Sequence, residues 1–196
     1  MSAQDHGPGF PSDEALSRAE SPYTTKEKVL RLLWNYFGQP MMRMTFHNWY
    51  GVRAWWLRRF GATIGAHSRI RPSVRVEQPW NLTLGDNCSL GDRAVIYCLG
   101  TITIGSNCSI SQHAHLCAGT HDFTQPKLPL LRPPIVIEDD VWIAADAFVG
   151  PNVRVGRGAL LGARGAAFKD LEPWTIYGGN PAKAIRARPR FADDPS

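Results

Sequence analysis

The chain repeats itself every six residues through most of its length. Leu84-Gly85-Asp86-Asn87-Cys88-Ser89 runs directly into Leu90-Gly91-Asp92-Arg93-Ala94-Val95, and the pattern returns as Ile104-Gly105-Ser106-Asn107-Cys108-Ser109 and Val155-Gly156-Arg157-Gly158-Ala159-Leu160. A fixed period decides architecture before local preference does, because each unit is too short to bury its apolar face alone. Triplets of units fit starts at residues 64, 84, 104, 137 and 155. The independent test lies in the second and third units, whose first residues are Ile70, Val76, Leu90, Ile96, Ile110, Leu116, Ile143, Val149, Leu161 and Ala167. Nine of these ten are Ile, Leu or Val, types that fill 37 of the 196 positions, so chance would supply about two.

The pattern predicts an all-β fold, a parallel β-helix of about five triangular coils. The first residue of each unit points inward, and the fifth is a small residue near a corner. At the fifth position, Trp80 and Leu171 are the misfits. The second position turns the corner and is often Gly, which offers backbone freedom there. So many Gly and β-branched residues exclude a helical reading of the period. Coil starts 20 residues apart, against 18 later, predict corner bulges such as Gln78-Pro79. The gap from 104 to 137 leaves an insertion, a protruding loop at about 120–134 rich in proline. Long loops on rigid scaffolds are usually functional. Cys88 and Cys108 occupy one position in adjacent coils and read as stacked core residues.

Outside the repeat, residues 1–23 hold Pro, Gly, Ser and acids and read as a disordered tail. The β-helix is expected over 61–180 and a short basic C-terminal segment over 181–196. Residues 24–60 form a basic, Trp-rich helical segment. Between Lys26 and Phe60 it carries seven Lys or Arg against Glu27 alone, a net of +6, while the whole chain carries +5. A helix is expected over Lys26 to Phe37, ended by Gly38 and Pro40, and a second over Asn48 to Phe60 with Asn48 as its cap. These helices fit two compatible roles: capping the open end of the β-helix, or lying on the inner leaflet of a membrane, where Trp and Arg suit the interface. No recognised nucleic-acid module is present. The absence of a long apolar run and of a secretory pattern predicts a cytoplasmic protein, peripheral on the plasma membrane if the second role holds.

Several segments resemble the hexapeptide-repeat, left-handed parallel β-helix acetyltransferases. They are Ala118-Gly119-Thr120-His121-Asp122, Val141-Trp142-Ile143, and Gly178-Gly179-Asn180-Pro181-Ala182-Lys183. Within that family, Leu99 to Gly105, Leu116 to Phe123 and Trp142 to Pro151 are similar to the colanic-acid-biosynthesis O-acetyltransferases. The resemblance covers about residues 30–190. It implies a homotrimer with acetyl-CoA in clefts between neighbouring prisms, and a saccharide acceptor in exopolysaccharide or lipid-linked saccharide synthesis. The left hand comes from the resemblance alone, since the general crossover rule favours the right.

Acetyl transfer to an alcohol needs a base, and His121, where the coil breaks into the loop, is the candidate. The resemblance puts the family's base there. Asp122 either orients the imidazole or caps the loop. The resemblance suggests oxyanion donors among the backbone N–H groups near Ala144-Ala145. Trp142 is read as a cleft wall. The CoA arm is expected along Ala144, Ala145, Gly162, Ala163 and Lys169, with Lys183, Arg186 and Arg188 suited to its phosphates. Related transferases usually carry Thr where this chain has Phe168. His113 and His115 are acceptor-contact candidates, and their spacing with His121 does not favour a metal. The reading is an acetyl-CoA-dependent O-acetyltransferase. Its rivals are an acetyltransferase for an amino sugar or serine, and a non-catalytic scaffold.

Overall fold

The structure is a computed structural model that describes residues 22–191. Most of the expected tail lies outside the described residues. Pro22 and Tyr23 do not: the Tyr23 ring lies between the guanidinium groups of Arg31 and Arg132, 4.0 and 4.3 Å from its centroid.

The six-residue period becomes a three-faced prism of parallel strands. The first face stacks Thr63–Ile64, Leu82–Leu84, Ile102–Ile104, Ile135–Ile137 and Arg154–Val155. The second stacks Arg69–Ile70, Ser89–Leu90, Ser109–Ile110, Trp142–Ile143 and Leu160–Leu161, then continues into Thr175–Gly178. The third stacks Arg75–Val76, Val95–Tyr97, His115–Cys117, Phe148–Val149 and Ala166–Ala167. Ile64, Leu84, Ile104, Ile137 and Val155 pair in one ladder, so the expected coil starts hold their register. All five are buried, as are the stacked Cys88 and Cys108. Each of those two thiols donates to a carbonyl of the next coil, Gly105 and Glu138, both at 3.0 Å.

The coil count is larger than expected. Five complete coils carry a partial sixth, because Leu171 bridges Val155 on the first face and Thr175–Gly178 extends the second. Leu171 was a misfit as a fifth residue because it is the first residue of that sixth coil. The antiparallel strand Lys183–Ala187 then closes the second face. Trp80 belongs to a short 3-10 turn, Pro79–Asn81, which absorbs the extra residues of the first coil.

Glycine at the second position has a different cause from the expected one. Among the described residues, ten of the eleven non-glycine residues with positive φ stand at the fourth position, including His67, Asn87, Asn107 and Asp146. Short polar side chains tolerate this left-handed conformation best. At the second position the constraint is close approach: a Cβ on Gly85 would lie 2.6 Å from the backbone carbon of Gly105 in the next coil.

The N-terminal segment seals the first coil at each of its faces. Its helices are α1 (Thr25–Leu33), continued by a π-turn Trp34–Gly38 into α2 (Gln39–Arg43), and α3 (Tyr50–Arg59). Gly38 and Pro40 therefore do not end the first helix. Gly38 is needed because any Cβ there would overlap the Trp34 indole. Asn48 does not cap α3, which starts after Trp49 with no side-chain cap. Thr24 and Glu27 instead make a capping box on α1.

Side chains of this segment then take the prism's end carbonyls. Arg58 donates to Ile64 O (2.6 Å), and Arg53 Nε to Ile70 O (2.6 Å). Gln39 donates to Val74 O (2.8 Å), and the Trp34 indole to Val76 O (2.6 Å). α1 also runs along the ridge between the third and first faces. Arg31 meets Glu77 of the first coil at 3.4 Å, and Glu27 meets Arg132 of the long loop at 3.1 Å.

Candidate active site

The long insertion leaves the prism after the third coil. Thr120–His121 pairs antiparallel with Leu130–Leu131, so the loop is a hairpin whose base is held by strand hydrogen bonds. His121 is exposed, with Nδ1 2.6 Å from the carbonyl oxygen of Leu128. A carbonyl can only accept, so Nδ1 is the donor, and in the neutral ring the lone pair is on Nε2. Leu128 adopts φ 47°, a left-handed turn residue. Sequence reasoning missed this partner, because a backbone carbonyl has no side-chain signature.

Asp122 does not bond to the imidazole. Its carboxylate accepts from the Thr124 hydroxyl (2.5 Å), the Thr124 N–H (3.0 Å) and the Gln125 amide (2.7 Å). Those bonds hold it below the usual carboxylate range, led by the Thr124 hydroxyl. Of its two expected roles, this is the loop cap.

The remaining candidates gather mostly on the ridge between the second and third faces. Asp146 N–H donates to Gln112 O, and Arg164 N–H to Ala145 O, so His113, Ala144-Ala145 and Gly162-Ala163 stack coil upon coil. Ala144, Ala145, Gly162 and Ala163 are its small residues, beside the larger Gln112, His113 and Arg164. The N–H of Ala144 is taken by Leu161 O at 2.9 Å, which leaves Ala145 N–H without a partner among the described residues. The Trp142 indole is 43% exposed on the second face and donates to Ser111 Oγ at the foot of this ridge (3.0 Å).

Other candidates stand elsewhere. Lys169 follows the last third-face strand and so lies across that face from Ala163, on the same ridge as His121. Lys183 and Arg186 are exposed on the antiparallel strand edging the second face. Arg188 is committed to the carbonyls of Asp140 and Gly158. Phe168 is exposed, with its ring 5.7 Å from that of Phe148. His115 sits between the rings of Tyr97 and Phe148, its Nε2 buried and without a hydrogen-bond partner among the described residues. Burial, then the nearby Arg75 charge, pushes its pKa down, so it is a neutral wall residue.

Within one chain His121 and Ala145 stand at opposite edges of the third face. Ala144-Ala145 enters the strand Phe148–Val149, whereas His121 leaves the strand His115–Cys117 paired beneath it. Among the described residues no group of three His, Cys, Asp or Glu could hold a metal ion, and no helix is long and apolar enough to cross a membrane.

No family model matches the chain. It is 47% identical over 139 residues to the "Putative colanic acid biosynthesis acetyltransferase WcaF" of Escherichia coli strain K12, covering 71% of this chain and 76% of that protein. A shorter stretch of 59 residues, 30% of this chain and 27% of the relative, is 52% identical to a chloramphenicol acetyltransferase of Agrobacterium fabrum. Among solved structures, a hexapeptide-repeat acetyltransferase from Vibrio cholerae superimposes with a TM-score of 0.78 at 23% identity, over 85% of this chain and 95% of that one. A galactoside acetyltransferase in complex with coenzyme A gives the same TM-score at 22% identity, over 91% and 92%. At these identities the superpositions establish the fold, a left-handed β-helix.

Proposed function

The chain belongs to the hexapeptide-repeat acetyltransferases, and we propose that it moves an acetyl group from acetyl-CoA to a saccharide hydroxyl, with His121 as general base. The class of enzyme, an acyltransferase, follows from that membership. Acetyl-CoA supplies the acetyl group as a thioester. The observation that carries the assignment of the base is the His121–Leu128 bond, which leaves Nε2 as the exposed acceptor at the root of the loop. Nε2 takes the hydroxyl proton as that oxygen attacks the carbonyl carbon, and it returns the proton to the sulfur as the C–S bond breaks.

The donor fits the ridge beside the third face. Ala144, Gly162 and Ala163 leave room for a narrow arm, and Ala145 N–H is free to face the developing oxyanion. Trp142 walls the track, while Lys183, Arg186 and Lys169 have no carboxylate partner among the described residues and suit phosphates. Since His121 and Ala145 lie on opposite edges of one face, a second copy of the chain would complete each site, as in a homotrimer. The saccharide acceptor is supported by the colanic acid relative. Peripheral membrane contact is supported by the exposed Met44, Phe46 and Trp55 on the helical cap.

Acetyl-CoA titration followed by an acceptor screen tests the reading. Saturable binding with transfer to a sugar supports it. Binding with transfer only to an amine or to serine reassigns the acceptor, and no acyl-CoA binding overturns the reading altogether.

A further inference from the structure

Below the strand that leads to His121, the third face carries a groove that acetyl transfer leaves unused. Arg43, Pro72, Ser73, Arg75, Arg93 and Val95 line it. Its arginines come from three separate elements: Arg43 ends α2, Arg75 opens the third-face strand of the first coil, and Arg93 stands at a left-handed corner of the second. Arg43 and Arg93 have no carboxylate partner among the described residues.

The two acids at the rim are already engaged. Glu77 bridges Arg75 (3.1 Å) and Arg31 (3.4 Å). Asp92 accepts from Ser73 Oγ (2.7 Å) and lies 3.6 Å from Arg71 Nε. Arg71 and His113 flank the groove on the ridge side. The result is surplus positive charge above an apolar floor of Pro72 and Val95.

We propose that this groove binds the anionic group, a phosphate or a carboxylate, of the saccharide acceptor. The proposal rests on the acetyl-transfer reading and adds that the acceptor is charged. Guanidinium forks match both anions, and charge-assisted bonds to them are strong. The register supports the placement. Val95 pairs with His115, so the groove stands one to two coils below the level of the base, on the Ala145 edge of the third face, where in the proposed trimer a second copy supplies His121. At the spacing of adjacent strands this is a rise of about 5–10 Å. An anion on the acetylated sugar, or on its neighbour in the chain, would reach it.

The full chain is assayed with acetyl-CoA on two matched pairs: glucose against glucose 1-phosphate, and methyl glucoside against methyl glucuronide. One charged member is expected to exceed its neutral partner in kcat/KM by about tenfold or more. Preference for the phosphate identifies a phosphorylated acceptor, and preference for the carboxylate identifies a uronic acid. Arg43→Gln with Arg93→Asn should bring the ratio close to one; Asn tolerates the left-handed corner, so the fold is kept.

Equal kcat/KM within both pairs overturns the assignment of the groove and leaves acetyl transfer standing. So do arginine variants that weaken acetyl-CoA binding instead. If no saccharide is acetylated, the transferase reading fails on its own. The groove is then judged by titrating glucose 1-phosphate and glucuronate against glucose, and equal binding overturns it.

Discussion

His121 and Leu128 meet across the base of the loop, imidazole Nδ1 to carbonyl oxygen, at 2.6 Å. The bond fixes the ring's orientation and makes Nδ1 the donor, so the proposed base is Nε2. His121→Ala should lower kcat by about a hundredfold or more, the usual worth of a general base. Acetyl-CoA affinity should hardly change, since in the proposed site the ridge and its cations, not the imidazole, hold the donor's arm and phosphates. Thiol-release kinetics and calorimetry on the same preparation check both halves. Comparable turnover in the variant would remove His121 from the mechanism.

Asp122→Asn should behave differently. The carboxylate holds Thr124 and Gln125 and makes no bond to the imidazole. Its substitution should reduce kcat by less than about tenfold, through a looser loop. The sign with pH follows from the lowered pKa: the loop's bonds are intact above the ordinary carboxylate value and are lost as pH falls through the depressed one. A loss in Asp122→Asn equal to that in His121→Ala would instead put the carboxylate in the chemistry.

The coils were legible in the sequence because the constraint on them is periodic. Ile64, Leu84, Ile104, Ile137 and Val155 are one column of one ladder, and the alternative frames would have put charges inside. The ends of the prism obey no period. Gly38 reads as a helix terminator, yet its lack of a side chain admits the Trp34 indole, a contact visible only in three dimensions. Arg53 looks like one more surface cation. It is buried, with its guanidinium bonded to the carbonyls of Ile70, Phe46 and His47. In the candidate site, side chains such as His121 and Trp142 were legible and the backbone N–H groups near Ala144-Ala145 came from the resemblance alone, but the Leu128 carbonyl, which has no side-chain signature, was not legible.

Glycine at the second position of a unit should resist substitution for reasons of space. Gly85→Ala places a methyl 2.6 Å from backbone that cannot swing away. A cost of about 1–3 kcal/mol is expected, as for overpacking elsewhere. Gly51→Ala on α3 meets nothing within 4 Å and should be neutral or slightly stabilising. Denaturant midpoints for the two variants give the comparison, and equal effects would refute the close-approach argument.

His115 gives the fold an acid-side weakness. Its pKa is lowered from the ordinary 6.5 by burial first and by Arg75 second. The unfolded chain therefore binds the proton more readily than the folded one. The stability from the neutral ring is present above the unfolded value and is lost as pH falls through the folded value. His115→Phe should flatten the decline in melting temperature below about pH 6.5. An identical decline in variant and wild type would show that other groups govern it.

The helical cap carries the strongest case for a surface outside catalysis. Met44 is 80% exposed, Phe46 69% and Trp55 54%, and Lys26, Lys28, Arg43 and Arg59 are exposed on the same segment. Aromatic rings at the edge of a basic surface suit the interface of an anionic bilayer, where apolar area and charge attraction add. In a trimer with parallel prisms the three caps would face one way, so weak single contacts would multiply. The chain should therefore sediment with vesicles of phosphatidylcholine and phosphatidylglycerol, but not with phosphatidylcholine alone. Salt should weaken the binding, since exposed charges are screened within about 10 Å at 0.1 M. Phe46→Asp with Trp55→Ser should abolish it and leave turnover on a soluble acceptor in place, because neither side chain belongs to the catalytic ridge. If the wild-type chain stays in solution with both kinds of vesicle, lipid is the wrong partner for this surface.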